Sequence, residues 1–206
     1  MKITEVRLRE VTGTFTHLGE FWEERLSRPL DIFPERRADP VAAGYWLPEP
    51  LGDGRYRIQT VFLQIETDEG VTGIAGPVPH DIAFIIGQQF RPLLLGHDPL
   101  ATERLWDMMY REAVHGRKGP TMIAISAIDC ALWDLKGRWL DQPVYRLLGG
   151  PVRESLPAYA SMLGYSLDLD LVKRRAEEAV TQGFTAMKWF PRWGPGDGRE
   201  GIARTV

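Results

Sequence analysis

Lys188 is the side chain with the clearest chemical use in this sequence. It lies in an apolar run, residues 184–190, and strand alternation sets it on the same face as Ala186 and Phe190, opposite Met187 and Trp189. Spacing by itself favours a lysine snorkelling from a strand end, although an ammonium is also able to neutralise a carboxylate. A second set of donors, His17, Arg28, Arg36 and Arg37, falls within residues 12–54. Guanidinium groups donate in a planar, bidentate way that suits carboxylates and hydroxyl-rich acids. Structural or solvent-facing roles fit any one of these four as well. His80, His97 and His115 fall in turns, share no metal-ligand spacing and read as surface positions. Asp129 and Asp134 lie on an apolar helix and read as structural, capping or pairing with Lys136 or Arg138. Cys130 is the sole cysteine, so no internal disulfide can form, and its apolar surroundings read as those of a buried structural thiol. Gly149-Gly150 lacks the flanking glycine spacing and the lysine of a phosphate cradle.

The elements that must position these groups follow from periodicity. Residues 2–11 alternate polar and apolar and read as a strand. Residues 12–54 lose periodicity and carry ten glycines and prolines, yet hold aromatics such as Trp22, Tyr45 and Trp46. A loop this long in a compact domain reads as a lid, its aromatics packing the lid or walling a pocket. Residues 56–66 and 71–76 form a hairpin around Asp68-Glu69-Gly70, so residues 2–76 predict a three-stranded antiparallel sheet. Three helices follow. The first, residues 82–95, is expected to start on an Asp81 cap; the second covers 100–114. The third is the strongest, with Met122, Ile125, Ile128, Leu132, Leu135 and Trp139 on one side. Gln142-Pro143 ends the helical region, and 144–148 adds a short apolar turn. A strand at 156–160, a helix at 168–182 capped by Asp168 or Asp170, a strand at 184–190 and a helix from Asp197 or Gly198 make a βαβα series. Such a series implies a parallel sheet.

Bulk composition excludes several classes. A net charge of -3 provides no field to collect nucleic acid or anionic lipid. The basic cluster Lys173-Arg174-Arg175 is followed by Glu177 and Glu178 and reads as a solvated helix face. No apolar run approaches a membrane span, and the first residues are neither a signal nor a transit peptide. A reducing cytoplasm is the expected compartment. A (β/α) barrel takes ~250 residues, and residues 201–206 read as mid-helix. The expectation is therefore a partial chain, with a domain over 1–120 that includes the lid, and a second region over 121–206.

Three segments carry a resemblance. Residues 126–137 (SAIDCALWDLKG) and 143–150 (PVYRLLGG) are similar to the junction of capping domain and barrel in the mandelate racemase/muconate lactonizing enzyme branch of the enolase superfamily. Residues 183–191 (GFTAMKWFP), with Trp193-Gly194-Pro195, look like the second barrel strand of acid-sugar dehydratases, the L-rhamnonate-like group above all. The resemblance implies an α+β capping domain followed by the start of a TIM-type (β/α) barrel. It implies a magnesium-dependent hydro-lyase that removes the proton α to a sugar-acid carboxylate through an enediolate. It places the magnesium ligands and a histidine–aspartate base pair beyond Val206, leaving no metal ligand to assign in this chain. Lys188 matches the first position of that family's lysine-any-lysine motif and becomes the expected catalytic residue. Phe190 stands where the second lysine would act as base, and phenylalanine takes no proton, which disfavours two-base racemisation. His17 and Arg37 are the expected substrate contacts from the lid. The expected partner is a small sugar acid, with a homo-oligomer in the full-length form and no dehydration by these 206 residues alone. Two alternatives stay open: a racemase, epimerase or cycloisomerase of the same superfamily, and a non-catalytic remnant or interaction module.

Overall fold

The computed structural model describes residues 1–17, 23, 27–37, 48–190 and 193–205. Two compact units result: Met1–Gly13 with Ile58–Glu154, and Thr14–Arg57 with Ser155–Val206. They divide the chain differently from the expected 1–120 and 121–206, because the strongest predicted helix packs on the sheet of the first unit.

That sheet is built from β1 (Ile3–Thr16), β3 (Arg55–Thr67) and β4 (Thr72–Val78), with β3 in the middle. β3 and β4 pair antiparallel, Leu63 opposite Ala75 and Ile65 opposite Gly73. The predicted alternation holds: Val61, Leu63 and Ile65 are buried, and Phe62, Gln64 and Glu66 between them are less so. A fourth strand, β2 (Glu49–Gly52), corrects the three-stranded expectation. It lies inside the stretch read as loop, and a turn with positive φ at Gly52, Asp53 and Gly54 returns the chain into β3. Proline and glycine hid a strand that a glycine-rich hairpin turn makes possible.

The first predicted helix divides into α2 (His80–Ile85), a π-turn (Ile86–Phe90) and α3 (Arg91–Leu94); α1 is the short Pro34–Arg37 turn. Pro92 lacks a donor and its ring would crowd the carbonyl one turn earlier, a conflict that an inserted π-turn relieves. The expected Asp81 cap is not used: α2 starts one residue earlier, at His80, and no side chain caps it. Helix α4 (Thr102–Glu112) buries Leu105 and Met109. Helix α5 (Pro120–Trp139) buries Ala124, Ile125, Ile128, Ala131, Leu132 and Leu135. It lies so close to β4 that a Cβ at Gly73 would overlap the Ala131 carbonyl and sit 2.7 Å from Leu135 Cβ. The small residue is therefore what lets sheet and helix meet. Trp139 is 41 % exposed, off the predicted stripe. Cys130 is exposed rather than buried. It lies two residues past Ile128, about 200° around the helix, so the buried face turns away from it. The short turn α6 (Val144–Leu147) follows.

In the second unit, β5 (Ala160–Ser161), α7 (Leu169–Thr181), β6 (Met187–Lys188) and α8 (Gly198–Thr205) follow the predicted order. β5 and β6 are parallel, Ala160 opposite Met187 and Ser161 opposite Lys188. Both are shorter than the expected 156–160 and 184–190, and β5 falls at the far end of its range. The ladder is made by Ala160 N–H to Ala186 O and Met162 N–H to Lys188 O, each 2.9 Å. Asp168 caps α7 as predicted, accepting from the amides of Asp170 at 3.1 Å and Leu171 at 3.3 Å.

Candidate functional site

The parallel register of β5 and β6 assembles the site around Lys188. Residues opposite one another in the ladder share a face, and so do residues two apart along each strand. Ser161 and Lys188 therefore share one side of the sheet, and Tyr159 and Phe190, which flank the strands, meet Lys188 there. Lys188 Nζ donates to the Tyr159 hydroxyl at 2.9 Å. The same ammonium stands 4.9 Å from the centroid of the Tyr159 ring and 4.9 Å from that of Phe190. The pairing of Lys188 with Phe190 agrees with the face assigned from alternation. Fixing a lysine side chain costs up to about 2 kcal/mol of rotamer entropy. A hydrogen bond from a charged donor contributes about 1.5–3 kcal/mol. Exposed cation–π contacts add about 0.5–1 kcal/mol each. Lys188 is exposed and Tyr159 is 51 % exposed, so water competes for each of these contacts.

The segment 14–57 supplies the other candidates. His17 is partly buried, and its amide donates to the Gly54 carbonyl at 2.8 Å, tying the end of β1 to the β2–β3 turn. Arg37 closes α1, and its side chain lies outside the described residues, as do Trp22, Tyr45 and Trp46. His17 and Arg37 belong to the same compact unit as Lys188. Arg28 holds its own segment together. Its amide donates to buried Asp31 at 2.8 Å, and its Nη2 donates to the Arg36 carbonyl at 3.2 Å. The 3-10 turn Pro29–Ile32 packs against the 3-10 turn Pro195–Asp197 that follows β6. A Cβ at Gly194 would overlap the Ser27 side chain, so the tryptophan-glycine-proline loop needs its glycine for this approach.

A second tie between segment 14–57 and the βα region was not legible in the sequence. Glu23 accepts from the Ser166 amide at 3.1 Å and from Arg175 Nε at 3.1 Å, with a further ion pair to Arg175 Nη2. Arg175 also reaches Glu178 at 2.9 Å, and its guanidinium lies 5.2 Å from the Tyr165 ring centroid. The cluster 173–175 is thus only in part a solvated face: Lys173 and Arg174 are exposed, and Arg175 is half-buried. Glu178 and then Glu23 raise the Arg175 pKa. Burial pushes the Glu23 carboxyl up, but the Ser166 amide and Arg175 outweigh it and hold the group below its ordinary value. A lowered folded pKa stabilises the contact above the unfolded value near 4.5 and is lost as pH falls through the folded one. Hydrogen-exchange protection of the Ser166 amide is therefore expected at neutral pH and should fade only as pH falls below about 4.5. Glu23→Gln should remove the pH dependence. Protection unchanged down to strongly acid pH in the parent chain would contradict the ion pair.

The two helix carboxylates part ways. Asp134 accepts from Arg138 Nε at 2.8 Å, as predicted, and from the Ile74 amide of β4 at 2.8 Å. Asp129 makes no ion pair with Lys136 or Arg138 among the described contacts. Burial, and then Glu103, push its carboxyl up. Lys136 instead stands 4.8 Å from the Trp133 ring centroid. His80 is the first residue of α2 with its side chain exposed, 3.9 Å from Glu10. Among the described residues no group of three or more His, Cys, Asp or Glu could hold a metal ion. Nor is any helix among them long and apolar enough to cross a membrane.

Residues 53–149 match the sequence profile described as mandelate racemase / muconate lactonizing enzyme, N-terminal domain. An L-rhamnonate dehydratase of Saccharopolyspora erythraea is 32% identical over 100% of this chain and 49% of its own length. The crystal structure of L-rhamnonate dehydratase from Gibberella zeae superposes with a TM-score of 0.73 at 28% identity, over 98% of this chain and 45% of that one. The 3,6-anhydro-D-galactonate cycloisomerase from Zobellia galactanivorans gives 0.59 at 28% identity, over 91% and 42%. The chain spans about half the length of the curated relatives it matches.

Proposed function

Because this chain carries the N-terminal domain of the mandelate racemase/muconate lactonizing enzyme family, we propose that it is the front part of an acid-sugar dehydratase. The observation that carries this reading is Lys188, held on the β5–β6 face with Phe190 beside it. In such a reaction a base removes the α-proton of a sugar acid, the β-hydroxyl leaves with a proton as water, and the enol ketonises to a 2-keto-3-deoxy acid. Proton loss places charge on the substrate carboxylate, and a fixed ammonium lowers that cost. Phe190 has no atom to accept a proton, which favours one-base dehydration over two-base racemisation. The name of the Saccharopolyspora relative supports L-rhamnonate or a similar aldonate as substrate. The Zobellia neighbour favours a second reading, a cycloisomerase that uses the same α-proton abstraction.

The β5, α7, β6, α8 series is proposed to be the start of a TIM-type barrel in the longer relatives. His17 and Arg37 are proposed to contact the distal end of the substrate from segment 14–57. The described residues do not themselves fit a magnesium site, and magnesium dependence is proposed for a completed chain only. A cytoplasmic homo-oligomer is proposed for that form. The 206 residues by themselves are expected to be inactive, since the Lys188 face is open to water. Two unit charges about 4 Å apart gain only about 1 kcal/mol in water, against about 4 kcal/mol at an effective dielectric of 20. The test joins these residues to the remaining half of the Saccharopolyspora erythraea relative and assays L-rhamnonate and a panel of sugar acids with magnesium. Formation of a 2-keto-3-deoxy acid by the joined chain but not by the 206 residues is the expected result. Dehydration by the 206 residues, or a cyclised product from the joined chain, would replace this reading.

A further inference from the structure

We propose that Tyr159 is the positioning residue for Lys188, holding its ammonium through the hydroxyl and beside the Phe190 ring so that the remaining N–H groups face an anion on the open side of the sheet. This rests on the reading of Lys188 as the cation for a substrate carboxylate. Tyr159 lies immediately before β5, on the same face as Ser161, which is directly opposite Lys188 in the ladder. Its hydroxyl takes one N–H of Lys188 at 2.9 Å, which sets the ammonium at the hydroxyl edge of the ring, 4.9 Å from its centroid. Phe190, two residues beyond Lys188 and just past β6, has its ring centroid 4.9 Å from the same ammonium. An ammonium has three donors, and this arrangement uses one of them. The others are left to a ligand, and a planar carboxylate matches a point cation flanked by a hydroxyl. Phe190 then has a use of its own: it replaces a basic side chain with a ring that restricts where Lys188 can point.

Lysine-selective NMR on the 206-residue chain tests the assignment directly. The chain has five lysines, Lys2, Lys118, Lys136, Lys173 and Lys188. Cation–ring contacts among the described residues involve two of them, Lys136 over Trp133 and Lys188 over Tyr159 and Phe190. Two upfield-shifted ε-methylene signals are therefore expected, with Lys188→Arg identifying the second. Tyr159→Ala should move the Lys188 signal towards those of the exposed lysines and leave Lys136 in place. Tyr159→Phe should keep much of the ring shift but lose the protected ammonium signal that a hydrogen bond at Nζ produces at low temperature. A Lys188 signal coincident with those of the exposed lysines in the parent chain, or unmoved by Tyr159→Ala, would overturn the assignment. This readout is independent of turnover, so it can fail while the dehydratase reading stands, and the reverse.

Discussion

Lys188→Ala, made in the chain joined to the remaining half of the Saccharopolyspora relative, is expected to lower kcat by about 100- to 1,000-fold, the usual loss when one preorganised electrostatic contact to a developing charge is removed. The effect should fall on kcat more than on KM, because the ammonium is worth most when the carboxylate takes up charge after proton loss. Lys188→Arg should recover only part of the loss, since a planar fork does not reproduce a compact ammonium held by the Tyr159 hydroxyl. Folding should change little, because Lys188 is exposed. Kinetics of both variants on the preferred sugar acid, with melting curves alongside, check the prediction. Turnover equal to the parent's in Lys188→Ala would remove this residue from the site.

The largest structural effect is expected from Phe90→Ala. Phe90 is 0 % exposed and ends the π-turn that leads into α3, within the cluster that includes Ile86, Leu94, Leu105 and Met109. Truncating a buried phenylalanine costs about 3–5 kcal/mol, through lost transfer energy and the cavity left behind. Domains have only about 5–15 kcal/mol of net stability, so the loss is a large part of what holds the first unit. Amide exchange along α5, whose Ile125, Ile128 and Leu132 belong to the same core, should accelerate sharply. Exchange rates as slow as in the parent chain would show that the space is refilled by its neighbours.

Local signals carried most of the reading of this molecule. The period-two pattern around Val61, Leu63 and Ile65 identified β3, and the stripe through Ile125, Ile128, Leu132 and Leu135 identified α5. Asp168 announced the start of α7 because a cap is satisfied within three residues of itself. Where the reading failed, a local rule met a longer-range condition. Asp81 has the right chemistry for a cap, but α2 begins at His80. Cys130 sits among apolar neighbours in the sequence, yet the helix face that meets β4 is the opposite one. The strand β2 was hidden because its proline and glycine oppose strand propensity while its turn and its pairing with β3 permit it.

The amino-acid sequence by itself determined most of the elements and their order, the ammonium at position 188 and the lack of a basic group at 190. These depend on residue type and on spacing over a turn or two of chain. Only the tertiary structure decided that Tyr159 meets Lys188, that Glu23 is held by Arg175, and that Gly73 lets β4 lie against α5. Those contacts join residues from 29 to 152 positions apart. Strand register and helix facing set them, and neither is written in any short stretch of sequence.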